Sequence, residues 1–164
     1  MIKISLEDSF VENEAGERFD LASQEAFDVV SRAWVRCGWD SKYVYTFSWM
    51  GRPIIQLPED MIRAQELIYS IRPTKIIETG VAHGGSLVYY ASLLSLMGES
   101  ASKVIGIDIE IRPANRSAIQ DHQLFDKIEL IEGSSINPDT HGKVSAFVQE
   151  EDVVMVFLDS NHTK

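Results

Sequence analysis

The stretch "KIIETGVAHGGSLVYYASLL", Lys75 to Leu94, decides how the rest of the chain is read. A short β-branched run ends in Glu78 and Thr79. Gly80, Gly84 and Gly85 then fall within six residues, and a segment with helical spacing follows. Strand, tight turn and helix in that order open a βαβ unit. Glycine lets the backbone bend sharply there and approach a ligand with no Cβ in the way. The helix that follows aims its free N–H groups back at the same turn.

Downstream the alternation continues. "KVIGID", "KIELIEG" and "DVVMVFLD" are further short apolar runs, and the spacing predicts helices over 85–97, 113–122 and 138–149. Strands alternating with helices predict right-handed crossovers and a parallel sheet. The strands are apolar throughout rather than alternating, as expected when helices cover both faces.

Upstream the pattern differs. Residues 1–19 are polar and mixed, an arm with some extended character. "DLASQEAFDVVSRAWVRCG" predicts an amphipathic helix that buries Leu21, Phe27, Val30, Trp34 and Cys37 and stops at Gly38. Tyr43, Tyr45, Phe47 and Trp49 alternate as in a strand with one aromatic face, which could pack on the protein or stack on a sugar or cofactor. "PEDMIRAQELIYSIRP" predicts a helix opened by Pro58 and closed by Pro73, with Met61, Leu67, Ile68 and Ile71 toward one side. The expected division is an extension or lid over 1–57 and a ligand-binding domain over 58–164.

At 164 residues, with 45% apolar and 24% charged residues, the chain has the composition of a globular domain. Its formal charge of −10 argues against nucleic-acid partners and against an anionic membrane surface. No apolar run approaches the roughly 20 residues of a membrane span. The start has no signal-peptide pattern. The single cysteine, Cys37, cannot form an internal disulfide, so a reducing, cytoplasmic setting is expected, with Cys37 as a buried thiol.

The glycine turn has chemistry of its own. Dinucleotide sites use G-x-G-x-x-G, with a pyrophosphate at the helix N-terminus. Here the spacing is G-x-x-x-G-G, and Glu78 precedes the first glycine by two residues. A carboxylate there would repel a pyrophosphate but suits a ligand carrying an ammonium and a sulfonium, which is S-adenosylmethionine. Asp108 ends the second strand, where it could accept both ribose hydroxyls or simply cap the next loop; Ile109 beside it could pack on adenine. Gly133, Ser134 and Ser135 could line the adenine edge or form a plain turn. Asp159 ends the fourth strand, expected beside the first, and a hard carboxylate there could hold Mg²⁺. His162 is a candidate base for a substrate hydroxyl. An ordinary Asp/Asn turn explains that segment equally well.

"VFLD" followed by a base three positions later resembles the metal-dependent catechol O-methyltransferases. Over a longer stretch, "WMGRPIIQLPEDM", "IIETGVAHGGS", "VIGIDIEIRPANR", "LIEGSSINP" and "LDSNHT" together resemble the cephalosporin hydroxylase/rhamnosyl O-methyltransferase family. The resemblance implies a Rossmann-like α/β fold of the class I methyltransferase type, with about four strands here as an N-terminal half. It implies adenosylmethionine binding by Glu78, Gly80, Gly84, Ser86, Asp108 and Ser135, with Gln56 in a loop closing over the methionine end. It also implies a metal at Asp159 and a catalytic role for His162. The residues offer no two-histidine, one-carboxylate iron triad of the oxygenase kind. The family's sheet continues beyond a fourth strand, so the chain reads as incomplete at its C-terminus. "VVMVF" would then be an apolar edge prone to pairing with another chain, and a homo-oligomer is expected. The function expected is methyl transfer to a hydroxyl of a sugar or small secondary metabolite. A non-catalytic nucleotide-binding or assembly module stands as the alternative, and an NAD-linked oxidoreductase behind it.

Overall fold

The computed structural model describes residues 1–98 and 101–160. The chain divides into two compact units, Met1–Val44 and Tyr45–Lys164.

In the first unit, strands β1 (Lys3–Ser5), β2 (Phe10–Glu12) and β3 (Arg18–Asp20) form an antiparallel meander. The predicted extended arm is thus a small sheet. Helix α1 (Gln24–Asp40) begins at Ser23, whose side chain accepts from the Ala26 N–H, satisfying one of the free donors of the first turn. Val11, Ala26 and Val29 form this unit's buried core, with Phe19, Leu21 and Val30 against it. That corrects the expected face of the helix. The small Ala26 allows close approach to the sheet, which leaves Phe27 65% and Trp34 50% exposed. Cys37 is exposed rather than buried. Gly38 does not stop the helix; Ser41 does, its N–H capping the Cys37 carbonyl.

In the second unit, β4 (Phe47–Trp49) and β5 (Arg52–Ile54) make an antiparallel hairpin. Met50 and Gly51 both have positive φ, 44° and 86°, the requirement of a type I′ turn. The aromatic alternation therefore holds for Phe47 and Trp49, which pack on the core, whereas Tyr43 and Tyr45 lie in a 3₁₀ turn. Helix α2 (Pro58–Ile71) has Pro58 at its start and Glu59 and Asp60 in its first turn, favourable against the helix dipole. It buries Met61, Ala64 and Ile68; Leu67 and Ile71, expected on that side, face solvent.

Four parallel strands follow: β6 (Lys75–Thr79), β7 (Lys103–Asp108), β8 (Ile128–Glu132) and β9 (Val154–Leu158). They are joined through α3 (Gly85–Leu96), α4 (Pro113–Gln120) and α5 (Pro138–Ser145). The sheet order is β8-β7-β6-β9, so the chain moves outward from β6 and then returns to its other side. Glu78 is in register with Gly106 on β7 and Phe157 on β9.

Helix α3 is buried almost all round, consistent with its uniformly apolar sequence. It touches the sheet and the hairpin, and Tyr89 hydrogen-bonds the Met61 carbonyl of α2. On its inner side Tyr90 stacks on Phe157 with centroids 4.5 Å apart. At the foot of the sheet Lys75 pairs with Asp152 at 3.1 Å, and the Thr74 hydroxyl donates to the same carboxylate at 2.6 Å. Strand β9 packs Met155 and Phe157 on the core and leaves Val156 54% and Leu158 71% exposed, the apolar edge the sequence predicts. No helix among the described residues is long and apolar enough to cross a membrane.

Candidate active site at the strand tips

The switch in strand order falls between β6 and β9, and ligands of open parallel sheets bind at the carboxyl ends beside such a point. A groove of about 370 Å³ lies there, walled by the residues that follow all four strands. Gly80, Asp108, Ser135 and Asp159 line it, together with Ile109 and Ser134. Two of its walls are carboxylates, and among the described residues no Lys, Arg or His lines it. A larger cavity of about 600 Å³ in the first unit, beside Arg32 and Arg36, gathers no tips of the parallel sheet.

Gly80 has φ 101°, and a Cβ there would fall 2.1 Å from the Asp159 carbonyl oxygen. Only glycine lets the tips of β6 and β9 meet so closely; Asp159 N–H donates to the Thr79 carbonyl at 3.0 Å. Gly84, at φ 77°, is the residue before α3, and a Cβ would collide with Ile119 of α4 at 2.3 Å.

Asp108 serves its own surroundings as well as the groove. One carboxylate oxygen accepts from the Val81 and Ala82 N–H groups at 2.8 and 3.3 Å, and the other from Glu110 N–H at 3.3 Å. The capping role and the groove-lining position are therefore held together. At the neighbouring tip, Glu132 accepts from Ile111 N–H and Arg116, which lowers its pKa and fixes the approach to α4.

Glu78 corrects the sequence picture most. It is 0% exposed and does not line the groove. Its carboxyl points toward α3, where Ser86 Oγ donates to it at 2.6 Å. Burial pushes its pKa up to about 8; the Ser86 hydrogen bond opposes that rise, and the negative charge of Asp159 adds to it. The second carboxyl oxygen of Glu78, the Tyr90 hydroxyl and Gln56 Oε1 are all buried without a hydrogen-bond partner of good geometry among the described residues. Tyr90 and Gln56 lie near enough to bear on one another, and the Tyr90 pKa is raised, chiefly by burial and next by the Glu78 charge. Tyr90 escaped the sequence reading because a tyrosine inside an apolar helix looks like core; its orphaned hydroxyl shows only in three dimensions.

His162 lies outside the described residues. Among the described residues no three His, Cys, Asp or Glu side chains gather as a metal site. Asp159 is exposed at the groove, and the His83 ring lies 3.5 Å from Asn115 Oδ1 instead.

The sheet order, the glycine turn and the groove across the strand tips define a Rossmann-like α/β fold of the class I methyltransferase type. The chain belongs to the rhamnosyl O-methyltransferase/CmcI family, whose sequence profile matches residues 41–164. It is 29% identical over 119 residues to rhamnosyl O-methyltransferase of Mycobacterium leprae (strain TN), covering 72% of this chain and 49% of that protein. With the enzyme of the same name from Mycobacterium bovis (strain BCG / Pasteur 1173P2) it shares 26% over 117 residues, 71% and 46% of the two chains. A solved structure of CmcI in a Mg-SAM form superposes with a TM-score of 0.54 at 22% identity, covering 72% of this chain and 47% of that one. An apo structure of CmcI gives 0.54 at 23%, covering 73% and 47%. The chain thus spans about half the length of the curated relatives it matches.

Proposed function

We propose that this chain forms the cofactor-binding part of an S-adenosylmethionine-dependent O-methyltransferase. The observation that carries the reading is the groove's charge: two carboxylates and, among the described residues, no basic side chain at a glycine turn. Those carboxylates disfavour a pyrophosphate, whereas a sulfonium and an ammonium are cations. The residues also fit the cofactor in detail. Asp108 lines the groove with a carboxylate for the ribose hydroxyls, and Ser134 and Ser135 stand at the next strand tip. Outside the groove's lining, Glu78, Tyr90 and Gln56 each keep a buried oxygen without a partner of good geometry among the described residues, and Ser86 ties Glu78 to the start of α3.

The acceptor class proposed is a hydroxyl of a sugar or small secondary metabolite, following the rhamnosyl O-methyltransferase relatives. Methyl transfer by in-line displacement asks the protein mainly to hold donor and acceptor in contact. The groove's placement at four strand tips serves that purpose, and α3 with the hairpin keeps the reaction's floor dry. Mg²⁺ at Asp159, kept largely hydrated as this ion prefers, would lower the acceptor hydroxyl's pKa and orient it. His162 is the proposed base.

The test is transfer of labelled methyl from S-adenosylmethionine to hydroxyl acceptors, rhamnosides among them, by the complete protein with and without Mg²⁺. Transfer that needs Mg²⁺ and disappears in Asp159→Ala supports the whole reading. Transfer unchanged in that variant removes Asp159 from the chemistry, and no labelled product from any hydroxyl acceptor removes the proposed activity.

A further inference from the structure

We infer that Arg52 and Asn115 are positioning residues that hold the glycine turn in its ligand-binding shape without touching the ligand. The inference rests on the reading above, that this turn carries the cofactor. Ala82 sits in the turn with φ 44°, a left-handed conformation that costs a residue with a Cβ about 1 kcal/mol or more. Such a residue persists only where its neighbours over-determine it.

Here three separate elements do so. Asp108, at the tip of β7, takes the N–H groups of Val81 and Ala82. Asn115, in the first turn of α4, donates its Nδ2 to the Ala82 carbonyl at 2.8 Å. Arg52, on β5, donates Nε at 3.0 Å and Nη2 as well to the His83 carbonyl. Four polar groups spread over three residues of the turn, two amides and two carbonyls, are thus each held from outside.

The arginine is the strongest of these holds. Its guanidinium places two charge-assisted donors on one half-buried carbonyl oxygen, which is stronger than a neutral bond. The hairpin that carries it is itself pinned. Trp49 Nε1 donates to Ser92 Oγ at 3.0 Å, and a His122 ring nitrogen lies 3.1 Å from the Met50 carbonyl beyond the end of α4. Release of the two carbonyls lets Ala82 relax toward negative φ. That rotation lifts the Val81 and Ala82 amides from Asp108, and Asp108 loses its fixed place in the groove. An arginine on β5 thereby sets the geometry of the cofactor's ribose acceptor.

The experiment compares Arg52→Ala, Arg52→Lys, Asn115→Ala and Ile68→Val with the unaltered protein. Three quantities are read: the calorimetric Kd for S-adenosylhomocysteine, hydrogen-exchange protection of the Val81 and Ala82 amides without ligand, and the urea midpoint. Loss of a charge-assisted hydrogen bond weakens binding about tenfold or more in Arg52→Ala and drops amide protection with it. Asn115→Ala moves both in the same direction and serves if Arg52→Ala fails to fold. Arg52→Lys, with one donor for the same oxygen, recovers part of the affinity. Ile68→Val, in the core face of α2 away from the turn, lowers the urea midpoint and leaves the Kd unchanged. The inference is overturned if Arg52→Ala binds and protects like the unaltered protein, if Arg52→Lys is no better than alanine, or if Ile68→Val weakens binding equally. No binding by the unaltered protein would instead sink the cofactor reading, while amide protection in the ligand-free variants still decides whether the clamp exists.

Discussion

Replacing Glu78 by glutamine tests how the buried carboxyl is held. Glu78 has a folded-state pKa of about 8 against an ordinary 4.5. The folded protein therefore keeps a proton that the unfolded chain releases between those two pH values. Unfolding is favoured as pH rises through that window, by up to about 1.4 kcal/mol per pH unit. Over the full window the effect approaches about 5 kcal/mol, all of it present below pH 4.5 and lost by pH 8. Glutamine has no proton to lose. Its carbonyl can accept from Ser86 as the carboxyl does, and its amide can donate to the neighbouring Tyr90 oxygen. The assay is urea unfolding, followed by tryptophan fluorescence, of both proteins from pH 4.5 to 9 without cofactor. Other titrating groups cancel in the difference between the two. Glu78→Gln should match the parent at pH 4.5 and pull ahead as pH rises. With a slope of about 2 kcal/mol per M, the midpoints should separate by roughly 2.5 M at pH 8. A difference that stays constant across the range would refute the account of a neutral, buried Glu78.

Three further outcomes are expected. Gly80→Ala puts a Cβ against the Asp159 carbonyl in a left-handed backbone, and should cost more than about 3 kcal/mol in urea unfolding. Asp152 is held down to about pH 2 by Thr74, the Gln149 N–H and Lys75, so its contribution is present above its ordinary pKa and lost as pH falls from about 4 toward 2. Asp152→Asn should accordingly destabilise at pH 6 and approach the parent only as pH falls to about 2, in the same unfolding measurement. Val156→Lys, on the exposed face of β9, should change stability by less than about 0.5 kcal/mol and reduce concentration-dependent light scattering of this chain.

The parallel region was legible because its signals are local. Each β-branched run ends where its strand ends, and Gly80, Gly84 and Gly85 mark a turn where positive φ or close contacts demand glycine at all three. The neighbour relation of β9 to β6 followed from the same alternation. The faces of α1 and α2 were misjudged because apolar spacing does not say which of two apolar stripes meets a partner. Phe27 and Leu67 lost that competition to Ala26 and Ala64, whose small side chains permit closer packing. Glu78 was placed correctly in the chain and wrongly in space. An acid at a strand end reads as open to a ligand, yet strand pleating turned its side chain under α3. Arg52 and Asn115 fall within stretches that carry the family resemblance, yet nothing local assigns them or Tyr90 a role, since their partners lie far away in sequence.

The most direct measurement is equilibrium titration of the protein with S-adenosylmethionine and, separately, with NAD⁺. An acidic groove beside a glycine turn should take the sulfonium cofactor with one-to-one stoichiometry and ignore the pyrophosphate. Tighter binding of NAD⁺, or a folded protein that binds neither, would contradict it.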